Sequence, residues 1–222
     1  MPVSKPKQAP EHVEIVQSIM LHSQQHRAIL IPTQLFIGIL SITIGAALTF
    51  KANIHTGISE YHITTGTWIG TWMLAAFAPI IVASALRSRQ SKVEQRNKQD
   101  RAESHHGHLA HIFRSLAPAL LLGAVTGTSI AFADVRQLPL TASLWIACYG
   151  VALLSIRMYC TKSTRFLGIL MLALGLSFSI VAQRTIDLIH PIQLANFFMI
   201  LSFGMFHLVV ASGSILFEKS KL

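Results

Sequence analysis

Apolar and polar positions along this chain fall into long blocks. Six stretches are almost wholly apolar: Ile29–Phe50, Gly66–Leu86, Ser115–Ala133, Leu140–Met158, Phe166–Ala182 and Ile192–Phe217. Each is long enough to cross a bilayer as a helix, which takes roughly 17–25 residues. The fifth is the shortest, yet it carries no charge. The one charge inside a span is Arg157, near the end of the fourth, where its long stem reaches the headgroups. No stretch alternates as a barrel strand does. The pattern predicts an all-α fold, a polytopic integral membrane protein built as a bundle of six transmembrane helices.

The polar blocks set the orientation. With the N-terminus inside, 15 of the 18 Lys and Arg residues lie on the inner side, leaving Lys51, Arg136 and Arg184 outside. That bias predicts an N-in, C-in topology. It also places the whole formal charge of +9 on the inner side, so a nucleic-acid partner is not needed to explain it. Mean hydropathy is +0.53, and 12% of residues are charged, against about 25% in soluble domains. Trp68, Trp72 and Trp145 fall in the outer thirds of their spans, where indoles favour the membrane interface. Nothing before the first span reads as a cleavable signal peptide. Cys148 and Cys160 fall on one predicted helix, 12 residues apart, or roughly 18 Å, too far for a disulfide.

Residues 1–27 divide into a Pro- and Lys-bearing tail and an amphipathic helix, Glu11–Arg27, on the inner surface. The long inner connection Arg87–Arg114 holds seven basic and three acidic residues and no proline. It is predicted to extend the second and third helices into the cytoplasm as a hairpin. Together, 11–27 and 87–114 offer a surface to a cytoplasmic protein partner. Pro32, Pro118 and Pro191 fall in first turns, where a missing N–H costs little. Pro79 falls inside the second span and should kink it. Ala119, Gly123 and Gly127 recur every fourth residue of the third span, a spacing that lets helices approach closely, within the bundle or in a homo-oligomer. The two three-helix halves show no repeat.

Candidate chemistry is sparse. His207 lies deep in the sixth span, where a charged imidazole is costly. It is expected to be neutral and hydrogen-bonded to a Ser, Thr or Gln of another helix. Asn196, on its own helix, is three turns away. These two residues are the candidate internal polar site. His55, His62 and His190, with Glu60, Asp134 and Asp187, gather on the outer side as candidate metal ligands, but they come from separate connections without a tight ligand spacing. The inner histidines His105, His106, His108, His111, His22 and His26 signal metal by composition only. A bis-histidine haem would need facing histidines at matched depth, and His207 has none. No span contains Asp or Glu, and no hydrolase or nucleotide motif is present. No catalytic residue and no cofactor is predicted.

The stretches Ser115–Ala124 (SLAPALLLGA), Trp145–Gly150 (WIACYG), Arg165–Gly175 (RFLGILMLALG) and Phe203–His207 (FGMFH) resemble a group of small bacterial six-span membrane proteins. So does the entry Ile19-Met20 before Ser23. The resemblance implies the six-span layout and carries no activity; the expected location is the cell inner (plasma) membrane. The expected function is that of a non-enzymatic sensor, regulatory or partner-binding subunit. The alternatives are a small-molecule or ion transporter using Gln34, Thr67, Thr71, Thr126, Ser129, Asn196 and His207, and a metal or haem redox protein. The topology has a direct test. Single cysteines replacing Thr56, Gln99 and Lys219 should be labelled from outside at position 56 alone, and labelling at 99 with protection at 56 would invert the assignment.

Overall fold

The computed structural model describes residues 31–51, 64–95, 103–156, 162–185 and 189–219. Among them there is no strand. Helix α1 runs over Ile31–Lys51, α2 over Thr65–Gln95, α3 over Glu103–Ala133, α4 over Leu138–Ser155 and α5 over Lys162–Thr185. The sixth span is one continuous rod in three parts: α6 (Pro191–Met199), a π-helical segment (Ile200–Phe206) and α7 (His207–Lys219). Six helices are long and apolar enough to cross a membrane. The amphipathic segment 11–27, His55, His62, Arg157 and Cys160 lie outside the described residues.

The span limits follow the hydropathy blocks with two differences. The fourth apolar helix stops at Ser155 rather than Met158, and a 3-10 turn over Val135–Gln137 leads into it. Asp134 caps that turn by accepting from the Arg136 N–H at 2.9 Å, and Pro139 occupies the first turn of α4, where no partner is lost. Pro118 is not in a first turn. The polar lead-in to the third span is itself helical, so α3 begins at Glu103 and Pro118 lies well inside it. There it withdraws the N–H that would bond the Arg114 carbonyl. Pro191 does open α6, and Pro79 lies within α2.

Helix α4 is the centre. Its buried residues, among them Leu138, Thr141, Ala142, Ser143, Ile146, Gly150, Ala152 and Leu153, cover more than half of its circumference, and the remaining side carries Val151, 44% exposed. α3, α5 and α6 pack along it. Over half of the α4 and sixth-span windows is buried, 56% in each, against 19% for α2 and 17% for α3. Two hydrogen bonds pin α3 to α4 at opposite ends: Thr141 Oγ1 donates to Gly127 O at 3.0 Å and Ser155 Oγ to Ser115 O at 2.9 Å. Between them Gly123 lies against the Cys148 side chain and Gly127 against the Trp145 indole. In this bundle those two small residues therefore serve packing within the chain; Ala119, one turn away, is half-buried.

The closest helix approach is between α4 and α5, and it joins residues from both sequences. The buried face of α5 repeats as Thr164, Gly168, Met171, Gly175, Phe178 and Ala182, the three-four spacing of a packed helix. A methyl group on Gly150 would stand 2.5 Å from the Leu172 backbone nitrogen, and one on Gly175 the same distance from that of Ala147. α1 is held against the sixth span in a similar way. Gly38 faces Leu208 and the Gly204 carbonyl, Gly45 faces Ile200, and Gly204 in turn faces Ile42.

Ser and Thr residues in the spans mostly bond to their own helix, one turn back. Thr43 to Ile39, Ser129 to Val125, Ser143 to Pro139 and Ser202 to Phe198 are examples, at 2.7–2.9 Å. Hydroxyls satisfied in this way need neither water nor a second helix. The backbone contacts yield a contrast to measure. Gly150→Ala and Gly175→Ala should each destabilise the bundle by about 1–3 kcal/mol. Gly70→Ala, which meets open space, should be neutral or gain up to about 1 kcal/mol. Thermal unfolding of the three variants in detergent checks the order.

Candidate functional site: two buried polar clusters

Two of the candidate residues, Asn196 and His207, are fully buried, at 0% exposure each. They do not meet. Each organises its own cluster, one on either side of the π segment.

Asn196 enters through the sequence Leu194-Ala195-Asn196-Phe197-Phe198 of α6, with Leu194, Ala195 and Phe198 buried beside it. Its side-chain oxygen accepts from Trp68 Nε1 at 2.8 Å and from Trp72 Nε1 at 3.4 Å, both on α2. Its amide nitrogen donates to Thr49 Oγ1 of α1 at 3.4 Å. Thr49 passes its own proton to Gly45 O at 2.8 Å. One amide thus links three helices, and both lone-pair directions of its oxygen are used. Trp68 also stacks on Trp145 of α4, with ring centroids 5.6 Å apart and planes at 23°. Sequence position alone put these indoles at the membrane interface. Instead Trp68 and Trp72 are buried, at 0% and 3% exposure, because a buried carbonyl oxygen needs donors and no water supplies them. Trp145 is half-buried. Its Nε1, sealed beside Gly127, has no hydrogen-bond partner.

His207 opens α7 at the end of the π segment. Its Nε2 shares a hydrogen bond of 3.1 Å with the Tyr149 hydroxyl of α4. The partner is therefore a phenol rather than the Ser, Thr or Gln expected from sequence. Phe203, one turn back, lies nearly parallel to the imidazole, at 19° and 5.8 Å. It also meets Tyr149 at 5.0 Å. The Ser202 and Phe203 carbonyls stand beside the ring, but Nδ1 has no partner in hydrogen-bonding geometry. Gln34 Oε1 of α1 is a second buried polar atom without one.

Of the outer candidates, His55, Glu60, His62 and Asp187 lie outside the described residues. His190 is exposed at the start of α6, and Asp134 is exposed beside the 3-10 turn. Among the described residues no three His, Cys, Asp or Glu side chains stand close enough to hold a metal ion. Of the polar positions considered for a path, Thr67, Thr126 and Ser129 are exposed on the outside of the bundle, whereas Asn196 and His207 are sealed in side-chain packing. What the two clusters do chemically is hold helices together, by hydrogen bonds that do not depend on solvent.

No protein-family model, no curated protein and no solved structure matches this chain.

The clusters differ in what they should be worth. Asn196→Leu leaves two indole N–H groups without an acceptor and should cost about 1–2 kcal/mol, the upper range for buried interhelical hydrogen bonds. Tyr149→Phe removes one bond and should cost about 0.6 kcal/mol. Unfolding in detergent, followed by tryptophan fluorescence, distinguishes the two: only the first should also shift the emission of the folded state.

Proposed function

We propose that this chain is a non-enzymatic, partner-binding subunit of the cell inner membrane, oriented N-in and C-in. Its cytoplasmic helical hairpin is the docking element. The observation that carries this reading is the length of α2 and α3. Each has 31 residues, or about 46 Å at 1.5 Å per residue, against a hydrocarbon core of about 30 Å. The apolar parts end near Leu86 and begin again near Arg114. Both helices therefore continue past the membrane region, and the sequence of those extensions is basic.

Basic residues alone do not require a partner, since inner connections collect them in any case. Continuous helix is different. A short polar connection suffices to join two spans, so two helical extensions are structure beyond what crossing the bilayer demands. They offer a rigid, positively charged surface suited to an acidic cytoplasmic face of another protein. The sealed state of the interior favours the same reading over transport. Asn196 and His207 are engaged with other helices, and the exposed Thr67, Thr126 and Ser129 lie outside the bundle.

The test replaces Arg87, Arg89, Lys92, Arg96, Lys98 and Arg101 together by Gln. In intact membranes, crosslinking from positions 87–114 of the unmodified chain should recover one protein partner. The substituted chain should insert with the same orientation and unfold at the same temperature, yet lose that partner. Retention of the partner by the substituted chain, or crosslinks to lipid alone, would sink the proposal.

A further inference from the structure

Two polar atoms without a partner in hydrogen-bonding geometry are buried on facing helices: Nδ1 of His207 on α7, beside the Ser202 and Phe203 carbonyls, and Oε1 of Gln34 on α1. Imidazole offers an N–H in either neutral tautomer and the amide oxygen is an acceptor, so each is what the other lacks. Leaving both unmade is costly where no water substitutes. The present register keeps them apart. On the α1-facing side of α7 stands Leu208, packed on Gly38, and Gln34 lies one helical turn from Gly38 on the same buried face of α1. His207 is one residue short of that position and points to Tyr149 of α4 instead.

Immediately before His207 lies the π segment Ile200–Phe206. A π turn holds one residue more than an α turn would. If it resolves into α-helix, everything after it rotates by roughly 100° and advances by about 1.5 Å, one residue of α-helix. We propose that this segment is a register switch in the sixth span. In the second register His207 takes the place of Leu208 against Gly38 and donates to Gln34. Phe206 takes the place of His207 beside Tyr149.

The surroundings fit a change confined to one half of the rod. On the outer side α6 is fixed by Asn196, which bonds to two other helices. On the inner side the bond between His207 and Tyr149 joins α7 to α4. Gly38 carries no side chain to block the incoming ring. Phe206 is apolar and already half-buried, so it can pack on Tyr149 where the imidazole was. Met205, by contrast, is 48% exposed, so it can shift as the turn rewinds without opening the core.

The experiment follows the imidazole nitrogens of His207 by NMR relaxation dispersion, in the full-length chain reconstituted in phospholipid nanodiscs. Exchange between two registers on the microsecond-to-millisecond scale is expected. Tyr149→Phe should raise the population of the second state about threefold, the worth of one ordinary interhelical hydrogen bond. Gln34→Leu should lower it by a similar factor. Deleting Met205 removes the extra residue, leaves both flanks in their present register and should abolish exchange. Exchange that is absent in both the unmodified chain and Tyr149→Phe overturns the proposal. So does exchange indifferent to Gln34→Leu, which would mark a local ring motion. Should the deletion fail to fold, the Gln34→Leu arm decides alone.

Discussion

A primary amide buried in hydrocarbon has to find its partners inside the protein, since the surrounding lipid offers none. In this bundle that constraint falls on Asn196, and the arrangement of the helices follows from how it is met. Two indoles one turn apart on α2 donate to the same oxygen, and Thr49 of α1 takes the nitrogen. Without this amide α2 would have little to hold it. Only 19% of its spanning window is buried, and side chains such as Leu74, Phe77 and Ile81 point away from the bundle. The apolar effect that assembles soluble helices is weak between membrane spans, so directional bonds and close backbone contact determine which faces meet.

Much of the fold was legible in the sequence because length and hydropathy are the relevant variables for a spanning helix. All six spans could be placed within a few residues, and the helical continuation of the second span to Gln95 and into the third from Glu103 was expected; the place of Pro118 inside α3 rather than in its first turn was not. Which faces pack was less legible. The regular spacing of Ala119, Gly123 and Gly127 drew attention to α3, whereas the tightest approach lies at Gly150 and Gly175 on different helices. No periodicity within one helix reveals a contact that depends on the register of two. The tryptophans misled for a related reason. Their depth was readable, but their inward direction depends on Asn196, 128 residues later than Trp68. His207 was readable as a buried polar residue. Its partner was not, because a tyrosine in an apolar span looks like any other aromatic until the helices are assembled. The π segment left no trace that hydropathy could detect.

The interior and the extensions divide the labour of the molecule. Inside the span region most of the hydrogen-bonded polar side chains described hold one helix to another or bond back to their own backbone. Those bonds fix α3 to α4 at both ends and α2 to α6 at one end. Helices α2 and α3 continue past their apolar limits, while α4 and the sixth span stay enclosed.

The sixth span is also the longest, with 26 residues from Pro191 to Leu216, against 20 for the third. In one bundle, both have to fit a hydrocarbon slab of one thickness. Tilting is the usual remedy for an overlong helix, but close contact of Gly204 with α1 limits how far this one can lean. A π turn rises less per residue than an α turn, so it takes up part of the surplus along the axis instead.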